Sequence, residues 1–193
     1  MSEKTEHPRA SRLDDERSRI LLDKLSERLA MERTATRLYD AFLGKLAVID
    51  HGKVSITPEE VSGIRGEEVR HALLVSDAIA AMGADPAAMT PGAECADMEA
   101  MGLVQVLSDP RSSLTQSLHA LLTAELSDSV GWETLIALAQ ADGLSDMAAG
   151  FGDALVQECK HQARIQAWYE ESLGLDPSAL SSSGMDTPAI PPH

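Results

Sequence analysis

Glu68-Val69-Arg70-His71 and Glu158-Cys159-Lys160-His161 are two copies of one pattern, Glu-x-x-His, each inside a long run with helical periodicity. On a helix a three-residue step turns the side chain by about 60° and rises about 4.5 Å, so carboxylate and imidazole share one face. That face can hold a metal ion. With 16 Glu and 6 His in 193 residues, one such tetrapeptide arises by chance in roughly every second sequence of this composition. The second copy is therefore what carries information. A two-metal site between helices further requires one carboxylate from each of two other helices.

The chain around the motifs supplies those helices. From Asp14 or Asp15, either of which can cap a helix, to Val48 there is no Pro and only Gly44, and Leu21, Leu25, Leu29, Leu43 and Leu46 recur at helical spacing. Asp50-His51-Gly52 ends this run. Thr57-Pro58-Glu59-Glu60 opens the next, with Thr as N-cap, Pro at the first helical position and acids in the first turn, and Gly83-Ala84-Asp85-Pro86 closes it after Met82. Residues 84–111 hold Pro86, Pro91 and a short helix expected over 93–107; a connection this long lets the helices on either side of it run parallel. Long helices follow over 112–141 and 145–173, separated by Asp142-Gly143. The expected organisation is a disordered tail over 1–12, one all-α domain over 13–174, a four-helix bundle with a crossover that contains a short helix, and a loose Ser- and Pro-rich tail over 175–193.

Composition agrees and narrows the partners. At 193 residues the chain can bury one core, and with 3% aromatic residues it favours closely packed helices over a β-sandwich. A formal charge of -15 argues against nucleic acid or an anionic membrane surface, which need clustered Lys and Arg, and in favour of cations. Cys95 and Cys159 form no Cys-x-x-Cys pair, so neither a zinc ribbon nor a rubredoxin-type centre is encoded. The charged start MSEKTEHPRASRLDDERSR does not read as a secretory signal, and no 18-residue apolar run is present to span a bilayer; a cytoplasmic location is expected.

At 100° per residue the apolar stripes converge on acids. The first helix presents Leu21, Leu25, Glu32, Tyr39, Leu43 and Leu46, and the second Val61, Ile64, Glu68, His71, Val75 and Met82. The third long helix presents Leu114, Leu118, Leu121, Glu125, Trp132 and Ile136, and the fourth Phe151, Ala154, Glu158, His161 and Ile165. Each Glu sits mid-way along an otherwise apolar face, where an unpaired carboxylate costs several kcal/mol to desolvate. Two divalent cations would neutralise the four, and two imidazoles complete a ligand set suited to iron or manganese. Glu32 precedes Glu68 by 36 residues and Glu125 precedes Glu158 by 33, as in two similar hairpins related by a pseudo-twofold axis.

Glu32, Glu68, His71, Glu125, Glu158 and His161 resemble the six-ligand signature of the ferritin-like superfamily of di-iron carboxylate proteins, which includes bacterioferritins and rubrerythrins. The resemblance covers residues 15–173. It implies a ferritin-like four-helix bundle, two iron ions per chain with manganese as the alternative, and a homo-oligomer, dimer or larger. It also implies a role for Tyr39, seven residues after Glu32, as a catalytic tyrosine near the metals. Val69 stands where a bacterioferritin-like haem site would carry Met, so no haem is expected. The rubredoxin domain that rubrerythrins usually append is not expected from this sequence, and the resemblance implies Asp128, one turn after Glu125, as the counterpart of the extra carboxylate that rubrerythrins carry.

The implied activity is oxidation of Fe(II), or of a reductant from an external electron donor, by dioxygen or peroxide, as in a ferroxidase or a rubrerythrin-like peroxidase. Bridging carboxylates would hold the ions about 3.5–4 Å apart so that one oxidant takes an electron from each. The alternative is a non-catalytic metal-binding or iron-storage protein. Trp132 and Trp168 read as core fillers, His119 and His51 as structural or solvent-facing, Cys159 as pointing away from the metals, and Glu59, Glu60 and Glu67 as cap and surface charges.

Overall fold

The computed structural model describes residues 8–175 and contains five helices and no strand among them. They are α1 (Pro8–Leu46), α2 (Pro58–Ala81), α3 (Pro91–Ser108), α4 (Leu114–Ala141) and α5 (Ser145–Ser172). Residues 1–7 and 176–193, which make up most of both expected tails, lie outside the described residues. The start of α1 differs from expectation: Asp14 and Asp15 fall inside the helix, which begins at Pro8. Pro suits a first helical position, and nothing between Pro8 and Asp14 breaks a helix.

The other boundaries follow local chemistry. Thr57 caps α2 by accepting a hydrogen bond from the Glu60 amide, with Pro58 at the first position. Thr90 and Pro91 repeat that arrangement at α3, and Ser113 with Gln116 forms a reciprocal capping box at α4. The α4–α5 turn needs a left-handed residue and has Gly143, at φ +72°.

Polar contacts between helices give their directions. Arg65 of α2 pairs with Asp40 of α1, while Leu21 and Leu25 pack with Val75 and Ile79, so α1 and α2 are antiparallel. Thr115 reaches Ser172 and Trp132 reaches Glu158, so α4 and α5 are antiparallel too. Glu60 meets Arg164 and His71 meets Gln157, which runs α2 antiparallel to α5. The connection between the two hairpins is long because α3 lies along α1. The Gly92 amide donates to Asp23 Oδ1 (2.9 Å) at one end, and at the other Lys45 Nζ donates to the carbonyls of Asp109 (2.9 Å) and Val106 (3.4 Å). That ammonium satisfies carbonyls that the end of α3 leaves free.

The core is divided into two. One apolar cluster includes Leu38, Phe42, Val61, Leu118, Leu121, Ile165 and Trp168; the other includes Leu21, Leu25, Leu29, Val75, Trp132, Leu135 and Phe151. On every long helix the Glu lies between residues of the two clusters, so a polar layer crosses the bundle at its middle. Among the described residues no helix is long and apolar enough to cross a membrane.

Candidate metal centre

In that layer Glu32, Glu68 and Glu158 have no exposed surface, and Glu125, His71 and His161 have 1–3%. Two groups of donor atoms form, each with all its atoms within 4.8 Å of one another: Glu32, Glu68, His71 and Glu158 in one, and Glu68, Glu125, Glu158 and His161 in the other. Glu68 and Glu158 belong to both. The four helices thus bring all six residues picked out in the sequence to one place.

The halves are arranged alike. His71 Nδ1 lies 2.8 Å from Glu158 Oε1 and 3.8 Å from Glu32 Oε2; His161 Nδ1 lies 3.0 Å from Glu68 Oε1 and 3.8 Å from Glu125 Oε2. Each imidazole therefore reaches across to the Glu of the other motif, and the two rings stand 6.0 Å apart. The outer ring nitrogens are engaged: His71 Nε2 bonds Gln157 Oε1 (2.7 Å) and His161 Nε2 bonds Glu67 Oε2 (2.5 Å). With Nε2 donating to those acceptors, each Nδ1 is the ring atom that faces the carboxylates.

Each terminal carboxylate is held by one oxygen. Arg28 Nε forms an ion pair with Glu32 Oε1 at 2.9 Å that is not aligned as a hydrogen bond, and the Tyr39 hydroxyl donates to Glu125 Oε1, so in both residues Oε2 is the atom turned to the imidazole. Trp132 Nε1 donates to Glu158 Oε1 (3.1 Å). Trp132 fills the core as expected and also orients a member of the cluster.

These atoms pass a test for fit to a metal. Both oxygens of Glu32 and of Glu68, Glu125 Oε2, Glu158 Oε2, His71 Nδ1 and His161 Nδ1 are buried with no hydrogen-bond partner. The imidazole nitrogens approach carboxylate oxygens closely, but the contacts are not aligned as hydrogen bonds. Buried lone pairs that face one another at 3 to 4 Å are costly unless a proton or a cation stands between them. The mixed nitrogen and oxygen donors suit iron or manganese.

Charge balance points the same way. Arg28 and Asp128 are both buried, and the guanidinium grips the Asp128 carboxylate and its backbone carbonyl. Asp128 is therefore directed at Arg28 and belongs to neither donor group. That pair is neutral, and two divalent cations would match the charge of the four Glu. Without them, protons take their place. Burial pushes the Glu32, Glu68 and Glu125 carboxyls well above their ordinary range, reinforced for Glu68 and Glu125 by neighbouring carboxylates and opposed for Glu32 by Arg28. Burial alone would lower His161, but Glu158, Glu125 and Glu67 bring it up to about 9. Burial would raise Glu158, but its contacts with His161 and His71 outweigh this and hold it low. Tyr39, buried beside Glu125, keeps its proton.

Arg28, Glu67 and Gln157 were not anticipated as parts of the site. Arg28 precedes Glu32 by four residues, the spacing of an ion pair on one helix, and was legible in principle. Glu67 keeps a third of its side chain exposed, in line with a surface charge, while its other end bonds His161. His119 and Cys159 are exposed, as expected. In comparisons with known proteins, no family model matches the chain, and neither a curated protein nor a solved structure does.

Proposed function

We propose that this protein is a di-iron or di-manganese carboxylate protein of ferritin-like type that oxidises Fe(II) or another reductant with dioxygen or peroxide. The observation that carries the reading is the pair of donor groups with Glu68 and Glu158 common to both. Two ions sharing two carboxylates act on one oxidant together, whereas isolated ions do not. The antiparallel hairpins and the long connection that lays α3 along α1 support the ferritin-like description.

A redox-active metal pair would supply electrons to the oxidant, and the protein does the remainder. Glu68 and Glu158 would hold the two positions together, while Glu32 with His71 and Glu125 with His161 would complete them. Arg28 and Tyr39 fix one oxygen of each terminal carboxylate and leave the other free to bind. The Tyr39 hydroxyl holds a proton one hydrogen bond from Glu125, ready for delivery at that atom. The apolar clusters on both sides keep bulk water out.

Purified protein should contain two iron or manganese ions per chain. Metal-free protein given two Fe(II) anaerobically and then mixed with dioxygen or peroxide should develop ferric absorbance in a single fast phase. His71→Ala and His161→Ala should each slow that phase by roughly tenfold or more, because one ion is left under-ligated. Oxidation unaffected by either change would end the proposal. Iron accumulating far beyond two per chain would instead identify storage as the main role.

A further inference from the structure

The two halves of the centre match in the atoms that face inward and differ in what stands behind them. Gln157 immediately precedes Glu158, and Glu67 immediately precedes Glu68, so one register position on α5 and on α2 supplies the partner of the opposite histidine. On His71 that partner is a neutral amide; on His161 it is a carboxylate. The nearest cation to Glu67 is Arg70 at 3.3 Å, an exposed side chain whose charge water largely screens. The terminal carboxylates are likewise unequal. Glu32 Oε1 faces the buried Arg28 guanidinium, while Glu125 Oε1 faces the neutral Tyr39 hydroxyl.

Both differences act in the same direction. An imidazole whose N–H donates to a carboxylate is the stronger electron donor through its other nitrogen, and such outer partners typically change metal affinity by about 10–100-fold. The guanidinium facing Glu32 Oε1 draws charge from that carboxylate locally, although Asp128 balances its net charge. We propose that the position formed by Glu125 and His161 fills first and holds a divalent cation more tightly than the position formed by Glu32 and His71, with Glu67 and Gln157 as the positioning residues that set the order. This rests on the reading of the cluster as a two-metal centre. The consequence is a threshold: chemistry that needs both ions starts only when the weaker position fills, so that position determines the free Fe(II) concentration at which the protein becomes active.

The test is an anaerobic titration of the metal-free full-length protein with Mn(II), with free ion followed by electron paramagnetic resonance. Crystals grown with one equivalent of Mn(II) would show by anomalous scattering which position is filled. Wild type should bind two ions per chain in steps separated by at least roughly tenfold, with the first at Glu125 and His161. Glu67→Gln should weaken the tight step until the two merge, Gln157→Glu should tighten the weak step, and the double exchange should move the first ion to Glu32 and His71. A purely structural role for these residues would not give that reversal. Two equal steps in wild type, a first ion at Glu32 and His71, or a double variant that keeps the wild-type order would each overturn the inference while leaving the two-metal reading intact. Binding of fewer than two ions by wild type would overturn both.

Discussion

Gly131 and Arg28 compete for the same space. An alanine in mid-helix normally stabilises by roughly 0.5–1 kcal/mol relative to glycine. Here a Cβ at position 131 would stand 2.5 Å from Arg28 Nη1, and Arg28 cannot retreat because Glu32 and Asp128 hold its other nitrogens. Overpacking of this kind costs about 1–3 kcal/mol, so Gly131→Ala should lower stability in a denaturant titration despite its better helix propensity. Tyr39→Phe should retain two-ion loading, since Glu125 Oε2 is untouched, but should alter the oxidation phase because the proton beside Glu125 is gone; metal analysis and stopped-flow absorbance separate the two. The six inward residues were legible in the sequence because a Glu or His at the centre of an apolar stripe has one direction to face. Glu67 and Gln157 were not, because their contacts depend on how α2 and α5 are placed against each other, which periodicity within one helix does not report.

Helix ends were legible wherever a cap is written into the chain, as at Thr57-Pro58 and Asp142-Gly143. The start of α1 was not, since a charged stretch without a breaker carries no boundary. The fit of α3 along α1 was also hidden, because it combines a buried row of small residues, Ala93, Ala96 and Ala100, with long-range bonds to Lys45 and Asp23 that periodicity does not report. Lys45 tests that fit. Its ammonium joins the end of α3 to α1 through the Asp109 and Val106 carbonyls and also reaches Ser117 Oγ of α4 (3.2 Å). Lys45→Met keeps the aliphatic stem and removes the donor, and it should cost about 1–2 kcal/mol by leaving those carbonyls unpaired. Thermal unfolding should register the loss while metal stoichiometry remains at two per chain, since Lys45 touches none of the six residues.

In the whole molecule, metal-free stability should depend on pH with a definite sign. Glu32, Glu68 and Glu125 have folded-state affinities for protons above those of the unfolded chain, and His161 is raised from 6.5 to about 9. The folded form therefore binds more protons than the unfolded one between the ordinary carboxylate value of 4.5 and the raised His161 value, and stability must fall as pH rises through that window. The low value of Glu158 acts only at more acidic pH. Metal loading requires the deprotonated ligands, so the gap in melting temperature between loaded and metal-free protein should widen from about pH 5.5 to about 8.5. A metal-free melting temperature that rises over that range would contradict the burial of these acids. The two faces on which the hairpins meet are also mechanically unequal. The α1–α4 seam is strapped from outside by α3, whereas the α2–α5 seam has no further helix over it among the described residues; Val75 and Phe151 belong to one apolar cluster there, and Ser55 to Glu171, Glu60 to Arg164, and the two histidine bonds to Glu67 and Gln157 stitch its edge. The molecule is built like a book with α3 on its spine, and metal bound at the proposed centre would be the clasp. Chelation should release the open edge first, so amide hydrogen exchange in α2 and α5 should accelerate while α1 and α4 stay protected, and a hinged opening of that edge would then give ions a way in without unfolding the protein.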